Sequence, residues 1–446
     1  MPYICCTSER PLPHTAPRPR ASAVALAVLT TACLQAAVPG SAHAVQPAAV
    51  SGNTTEVSTR SVRLEPVGSL GGDGGSEQLV FSPTGDRFAH RDVNGLELWS
   101  TQPLKPLARI PRDPLLGLSQ VLFSPNGQLH YINGGRHGWI TADLQQGIGS
   151  KADLLSPNGR YAVRNGPRPG EDDFTPNYYG AVSDVYDLEE KRSVCQFPRV
   201  GWLTNAAFTD SWFANQLAPT GPQPPKPLAV CEMATGRAFI MPFGDARRLT
   251  PTLDPQGRWL MVHSSGTRLL GMSEWSDRKL FALPFAREAF AKNPDNEPYP
   301  CAELPCGHPE PVETAELPPD QPVVSPDGSW LVYLNHNSIK IFKYPEMKQV
   351  ATLAHAPYTK PPTNRRTGQQ QVAFSTNGRW LGLQVNSHLY RIDLQSSPLR
   401  LQELTPPVSD FNLQAVSSDG LHWLVQHETE PQRTLQGALW RAGLSQ

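Results

Sequence analysis

Residues 322–343, PVVSPDGSWLVYLNHNSIKIFK, decide the fold of this 446-residue chain. The tetrapeptide SPDG predicts a tight turn. Proline presets φ at the first central turn position, and Asp-Gly tolerates the left-handed conformation that closes the reversal. The apolar and polar residues around it predict three short strands, the second at 330–334 and the third at 338–343. The stretch therefore predicts a strand-turn-strand-loop-strand cassette.

The same cassette recurs along nearly the whole chain. Eight copies begin at Leu79, Val121, Asp153, Ala206, Pro251, Pro322, Val372 and Ala415. The turn glycines are Gly85, Gly127, Gly159, Gly257, Gly328, Gly378 and Gly420, and in the degenerate fourth copy Asp210 and Ser211 fill the turn. Self-similarity at a period of several tens of residues indicates a repeat architecture, in which stacked neighbours bury faces that one copy cannot bury alone.

A fourth strand follows most cassettes, as in PLARIP, SVCQFP and KLFALPF. Four-stranded antiparallel units in series are typical of propeller blades. The sequence therefore predicts an all-β chain with a single β-propeller over 61–446, of eight blades over 77–446, or seven if the fourth copy merges with a neighbour. The last copy lacks its fourth strand, and we expect the lone strand at 61–70 to supply it and close the ring.

The S-P-[DN]-G turn, followed by R-W-L, S-W-L-V or R-Y-A-V, resembles the TolB-type (WD-repeat-like) β-propeller repeat of bacterial periplasmic proteins. The resemblance covers nearly all of the chain after the N-terminal segment. It implies the fold, and it implies partner binding, since such propellers mostly bind proteins and some gate the substrates of hydrolases. The WD dipeptide is missing at the strand ends, where Leu98-Trp99 stands in a similar place.

The N-terminus has the pattern of a targeting segment. Arg18 and Arg20 precede an uncharged run at 21–42, and an A-x-A site ends at Ala44. This order predicts a signal peptide over 1–44, cleavage after Ala44 and export to the periplasm or beyond. An uncleaved anchor and a lipoprotein at Cys33 are the alternatives, although leucine stands one place too early for a lipobox.

After cleavage we expect a flexible tail over 45–60 and no membrane span in the mature chain. The formal net charge of −1 gives no strong field for nucleic acid or for an anionic membrane surface. We therefore expect no nucleic-acid partner, and we expect a monomer. The 46 prolines indicate many turns and loops around short strands.

Four cysteines remain beyond the targeting segment, and an even set in an exported chain predicts disulfides. Cys301 and Cys306 lie in one short loop, CAELPC, and are expected to pair. Cys195 is then left to pair with Cys231. The alternative is a zinc site formed by Cys301, Cys306 and His308, which lacks a fourth ligand.

Long insertions predict where binding occurs. If strands alternate in direction, the SPDG-type turns and the third-to-fourth connections lie on one side, here called the turn face. The other connections lie on the loop face. The insertions at 165–180, 216–227, 287–321 and 355–370 are all expected on the loop face. Insertions gathered on one face often mark a binding face, although exported proteins also tolerate them without function.

Two groups within these insertions are candidate contacts for a protein or peptide partner. The first is an acidic and aromatic group: Asp172, Asp173, Phe174, Tyr178 and Tyr179. The second is a basic group: Lys360, Arg365 and Arg366. Exposed aromatic side chains are good anchors for a partner. The alternative is that both groups only keep their loops soluble.

Catalytic signatures are missing from the sequence. It holds no G-x-S-x-G elbow, no H-E-x-x-H and no P-loop. His90, His130, His263 and His422 fall on or beside second strands, where a structural role is expected. The sequence predicts a non-enzymatic, cofactor-free scaffold that binds a protein or peptide. The alternatives are a metal-dependent propeller hydrolase or lactonase and an envelope component that binds glycan or cell wall.

Overall fold

The computed structural model describes 17 stretches of the chain, which all fall in one compact unit, Gly52–Gln446. They are 57–70, 75–166, 182–198, 206–217, 227–243, 248–267, 274–290, 304–307, 309–312, 322–334, 338–344, 346–354, 371–385, 387–399, 401–408, 410–429 and 434–443. The predicted signal peptide lies outside them. In these stretches no helix is both long and apolar enough to cross a membrane.

The described residues form an all-β structure of several four-stranded antiparallel sheets, as predicted. The first strand is β1 (Val57–Leu70). Sheets 1 to 3 are β2–β5 (Ser76–Phe81, Arg87–Asp92, Gly95–Ser100, Lys105–Pro111), β6–β9 (Leu118–Phe123, Leu129–Asn133, Arg136–Ile140, Gln146–Lys151) and β10–β13 (Leu154–Leu155, Tyr161–Gly166, Val182–Asp187, Arg192–Pro198).

The remaining strands follow in the same order. Sheets 4 to 6 are β14–β17 (Ala207–Phe208, Trp212–Gln216, Leu228–Glu232, Arg237–Met241), β18–β20 (Arg248–Leu253, Trp259–Thr267, Glu274–Ala282) and β21–β24 (Val323–Val324, Trp330–Leu334, Ser338–Lys343, Lys348–Ala354). Sheets 7 and 8 are β25–β28 (Gln371–Phe374, Trp380–Val385, His388–Asp393, Leu401–Thr405) and β29–β31 (Phe411–Val416, His422–Thr429, Thr434–Ala442). A short 3-10 helix lies at Arg287–Phe290.

The strand β1 joins sheets 7 and 8 into one mixed eight-stranded sheet. Its second half pairs antiparallel with β31, from Leu64 opposite Ala442 to Leu70 opposite Gly437. Its first half pairs parallel with β28, beginning at Val57. The strand therefore begins at Val57 rather than at Ser61, and its parallel pairing was not predicted.

Sheet 5 corrects one part of the predicted repeat, because it has three strands among the described residues. The segment KLFALPF, expected as a separate fourth strand, instead begins inside β20, the third strand. Since β20 ends beside the start of β19, the chain leaves sheet 5 on the turn face. The insertion at 287–321 thus starts on the turn face, so only three of the four long insertions connect strands on the loop face.

Part of this insertion runs along the outer edges of sheets 4 and 5. The backbone amide of Ile240 in β17 donates to the carbonyl of Pro305, and Gly307 donates to the carbonyl of Ile240. Farther along, the amide of Val312 donates to the carbonyl of Leu280 in β20. These bonds satisfy backbone groups at sheet edges, which would otherwise be open to pairing with another chain.

The SPDG turn has the predicted geometry and an additional buried serine. Gly328 has φ +67°, and its amide donates to the carbonyl of Ser325 over 2.8 Å. The Ser325 hydroxyl donates to Asp327 over 2.5 Å and accepts the amide of Trp330 over 2.9 Å. Ser325 is fully buried, as are its counterparts at the other turns. The serine is therefore part of the fold and unavailable as a surface nucleophile.

Eight buried apolar clusters among the described residues lie between consecutive sheets. One of them packs Leu424 and Leu439 of sheet 8 against Phe81 and Phe88 of sheet 1. The turns of sheets 8 and 1 also contact each other, because the Ser418 hydroxyl of sheet 8 donates to the carbonyl of Thr84 in the turn of sheet 1 over 3.0 Å. Burial of this apolar surface, at roughly 25 cal/mol per Å², is the main force that holds the sheets together.

Two glutamines, one half-buried and one buried, link neighbouring sheets through hydrogen bonds to backbone. The amide nitrogen of Gln120 donates to the carbonyl of Leu155, and its oxygen accepts the Leu155 amide over 2.7 Å. Gln426 donates to the carbonyl of Ser76 over 3.0 Å and so connects sheet 8 with sheet 1. Such bonds satisfy backbone groups that would be costly to bury unpaired.

The disulfide between Cys195 and Cys231 is confirmed, with an S–S distance of 2.00 Å. It joins β13 of sheet 3 to β16 of sheet 4 inside their shared apolar cluster. Cys306 is also disulfide-bonded. Its predicted partner, Cys301, lies outside the described residues. A disulfide sulfur is not a thiolate ligand, so the zinc alternative loses Cys306.

Candidate functional site

The candidate partner contacts named from the sequence lie outside the described residues. This holds for the acidic and aromatic group (Asp172, Asp173, Phe174, Tyr178, Tyr179) and for the basic group (Lys360, Arg365, Arg366). The first loop joins β11 to β12 at their loop-face ends, where Gly166 pairs with Val182. Both groups remain predictions. Among the described residues, an ordered loop on the loop face and a cleft on the turn face are the other candidate sites.

The loop-face feature is an ordered loop between β5 and β6 that ends in two exposed leucines. Leu115 is 90% exposed and Leu116 is 73% exposed, and we call this pair the leucine knob. One carboxylate oxygen of Asp113 accepts the amides of Leu115 and Leu116 over 2.9 and 2.8 Å. These two bonds lower the pKa of Asp113. The loop thus has a turn that its own side chain stabilises.

Neighbouring residues hold both ends of this loop. The Asn133 side chain donates to the carbonyl of Pro111 over 2.9 Å and accepts the amide of Asp113 over 2.8 Å. The Arg112 guanidinium donates to Glu77 over 2.8 Å. The loop is therefore fixed before any partner arrives, although its two leucines are exposed to water. Val93, 45% exposed, lies in the adjacent loop of the same face.

The turn-face feature is a cleft of about 530 Å³ between sheets 2 and 3, which we call the 2–3 cleft. Its walls come from the turns and outer strands of both sheets. The residues that line it include His130, His137, Trp139, Gly149, Tyr186, Asn126, Asn158, Arg160, Glu189 and Lys191. Such a volume is in the usual range for small-molecule sites. The cleft lies on the face opposite to the one where the sequence predicts binding.

The interface that holds the cleft has a small residue where the other interfaces have large ones. At the start of each second strand, one side chain packs toward the preceding sheet: Phe88, Leu129, Ala162, Phe213, Leu260, Leu331, Leu381 and Trp423. Only Ala162 of these eight is small. The apolar cluster at this interface accordingly has just four buried members among the described residues.

The outer strand β9 adds to the opening with two glycines. Gly147 lies in register with Trp139, and a Cβ atom there would come within 2.1 Å of the indole ring. A Cβ atom on Gly149 would lie 3.3 Å from both Trp139 and His137. The indole therefore lies against bare backbone on one side while it also lines the cleft.

Two buried histidines form the floor of the cleft. The Nδ1 atom of His130 lies 2.9 Å from the Nε2 atom of His137, and each side chain is only 6% exposed. Burial and the neighbouring His137 lower the pKa of His130 to about 4, and burial lowers the pKa of His137 to about 4. Both rings are thus neutral at neutral pH. The Nε2 atom of His130 has no hydrogen-bond partner in the described part of the chain.

The rim of the cleft is polar. The Asn126 oxygen accepts the Ser124 hydroxyl over 2.5 Å, and the Asn158 oxygen accepts the Ser156 hydroxyl over 2.7 Å. Each side chain therefore has its amide nitrogen available for a ligand. Tyr186 forms part of the wall. The guanidinium carbon of Arg164 lies over its ring, 3.3 Å from the ring centre.

The charges of the cleft largely neutralise each other. The Arg160 guanidinium donates to Asp187 over 2.7 Å and to Glu190 over 2.9 Å. Glu189 and Lys191 add one charge of each sign to the rim. An arrangement with paired charges has no net attraction for a strongly charged ligand.

Neither feature has the donor set of a metal centre. No group of three or more His, Cys, Asp or Glu side chains with metal-binding geometry occurs within the described ranges. The sequence predicts a structural role for His130 and gives no indication of a role for His137. Comparison of the repeats with one another would have revealed the signal, since Ala162 is small and β9 contains G-I-G.

Comparison with known proteins gives no family. No protein-family model matches the chain, and no curated protein matches it. A eukaryotic initiation factor structure has a TM-score of 0.44 at 12% identity and covers 84% of this chain and 87% of its own. KlHsv2 with loop 6CD replaced by a Gly-Ser linker has a TM-score of 0.42 at 11% identity, covering 74% and 98%. A likeness at this level says nothing about activity.

Proposed function

We propose that this chain is an exported, non-enzymatic β-propeller of the TolB type that binds a partner protein or peptide through its loop face. In this proposal eight blades form a ring that β1 closes. The succession of eight inter-sheet clusters supports the ring, as do the contacts between sheets 8 and 1. The N-terminal pattern supports export, because a charged start, an apolar run and an A-x-A site come in order.

The leucine knob is the observation that carries the binding proposal. Burying a leucine side chain stabilises a complex by roughly 1.5–3 kcal/mol, and the knob offers two. The hydrogen bonds of Asp113 and Asn133 order the loop in advance, so little conformational entropy is lost when it binds. A pair of fixed, exposed apolar side chains fits an apolar pocket on a folded partner.

A crosslinking pull-down from the native envelope tests this proposal. The variant Leu115→Ser/Leu116→Ser should keep its melting temperature and lose the captured partner. Ile148→Ser is the matched control, because Ile148 is 72% exposed but lies on the outer strand β9. It should capture the partner as the wild type does. Equal capture by the knob variant and the wild type would refute the role of the knob.

The loop predicted from the sequence needs a separate test. Deletion of residues 172–179 should leave the melting temperature nearly unchanged and abolish capture in the same assay. Retained capture would remove that loop from the proposal and leave the knob as the contact. N-terminal sequencing of the mature protein should begin at Val45, and an intact Met1 would contradict cleavage.

A further inference from the structure

We propose that the 2–3 cleft is a carbohydrate-binding site that takes one sugar unit of a neutral saccharide against Trp139. The site lies on the turn face and is independent of the partner-binding proposal for the loop face. Three properties of the cleft carry the inference: the space occurs at the interface of sheets 2 and 3 in particular, its wall is aromatic, and its rim is polar without a dominant charge.

The space is specific to this interface. Protein interiors are close-packed, and a gap deprives the surrounding atoms of dispersion contacts. Seven of the eight sheets fill the position of Ala162 with a large side chain, and the chain leaves it small only between sheets 2 and 3. Gly147 and Gly149 let the indole ring lie directly against the backbone of the outer strand. The cleft is therefore not a general feature of these repeats.

The lining matches a sugar ring in chemistry. A pyranose has a face of C–H groups, which packs against an aromatic ring, and an edge of hydroxyls, which donate and accept hydrogen bonds. Trp139 supplies the ring. The amide nitrogens of Asn126 and Asn158 are available as donors, and the exposed Glu189 carboxylate, which lies 3.6 Å from the Arg160 guanidinium, has further oxygens that accept. Polar side chains placed around an apolar wall are what fixes the orientation of a small ligand.

The unpartnered Nε2 atom of His130 gives an independent reason to expect a polar ligand. Its side chain is 6% exposed and lines the cleft, and leaving a buried polar atom without a partner is unfavourable. This nitrogen is itself buried, so a ligand hydroxyl reaches it only after a small shift of the His130 ring, and it then donates or accepts according to the tautomer that the bond to His137 selects. An anion suits the cleft less, because the Arg160 guanidinium already binds two carboxylates.

Binding is measured by indole fluorescence and by saturation-transfer NMR on the full mature chain. The probes are cellobiose, maltose, lactose and N,N′-diacetylchitobiose. We expect saturable binding of at least one probe with a Kd below about 10 mM, a value typical of a shallow single-sugar contact. Trp139→Ala should weaken that binding at least tenfold. Gly149→Val keeps the indole in the chain and should block the cleft, because its side chain fills the space beside Trp139 and His137.

Leu115→Ser/Leu116→Ser is the control, because it alters the opposite face, and it should bind the probe as the wild type does. Failure of all four probes to bind saturably would overturn the proposal. So would a bound probe whose affinity is the same in wild type, Trp139→Ala and Gly149→Val. Either result leaves the loop-face proposal standing, since that is tested by capture of a protein.

Discussion

The buried pair His130 and His137 should make the stability of the protein depend on pH below neutrality. In the folded chain each has a pKa of about 4, against an ordinary value of 6.5. The folded state therefore binds protons less readily than the unfolded state does. Stability is fully present above about pH 6.5 and falls as the pH drops toward 4.

The size of this effect follows from the pKa of His137. At pH 4.5 the unfolded side chain is protonated and the folded one is still largely neutral. The difference of about two pH units, at about 1.4 kcal/mol per unit, corresponds to roughly 3 kcal/mol of lost stability. The Arg160 guanidinium on the facing sheet stays charged throughout this range, because its hydrogen bond to Asp187 raises its pKa.

Urea unfolding at pH 7.5 and at pH 4.5 measures this loss. The variant His137→Gln should lose less stability between the two pH values than the wild type does, by about 2–3 kcal/mol. Histidines outside this pair contribute equally to both proteins and cancel in the comparison. His130 loses the part of its lowered pKa that His137 causes, which reduces the loss in the variant further. His388→Gln, which alters a half-exposed side chain, is the control and should behave as the wild type. Equal losses in His137→Gln and the wild type would refute the reasoning.

Three further predictions concern the scaffold. Cys195→Ala/Cys231→Ala should lower the free energy of unfolding in urea by about 4 kcal/mol, because the bond closes a loop of 36 residues; a loss below about 1 kcal/mol would contradict this. Gly127→Ala should cost about 1 kcal/mol for its left-handed φ alone. Gly328→Ala should cost clearly more by the same measurement, since its Cβ would lie 2.2 Å from a carboxylate oxygen of the preceding turn. Asn133→Ala should speed amide hydrogen exchange in the leucine knob but not in β7; unchanged exchange would show that other contacts order the loop.

The sequence predicts those parts of the fold that local chemistry determines. The S-P-x-G turns and the strands beside them are visible because proline, Asp or Asn and glycine restrict φ within four residues. The pairing of Cys195 with Cys231 followed from counting cysteines in a chain expected to be exported. These predictions needed no knowledge of which sheets touch.

The remaining features depend on contacts between distant residues. The parallel pairing of β1 with β28 and the third-strand position of KLFALPF depend on which edges are free after the sheets assemble. The small side chain beside the 2–3 cleft matters because Ala162 of sheet 3 faces sheet 2. The two histidines come together because of the register between β7 and β8. Neither contact is visible in the sequence of a single repeat.

The position of β1 has a consequence for how the protein is made. This strand is synthesised well before the residues it pairs with, at 401–405 and 437–442. Until then its hydrogen-bonding edges have no native partner, and an unpaired strand is prone to join other chains. Contacts so far apart in sequence also form slowly. Folding of sheets 7 and 8 is thus expected to finish last, and a chaperone that shields the emerging N-terminal strand should raise the yield of native protein.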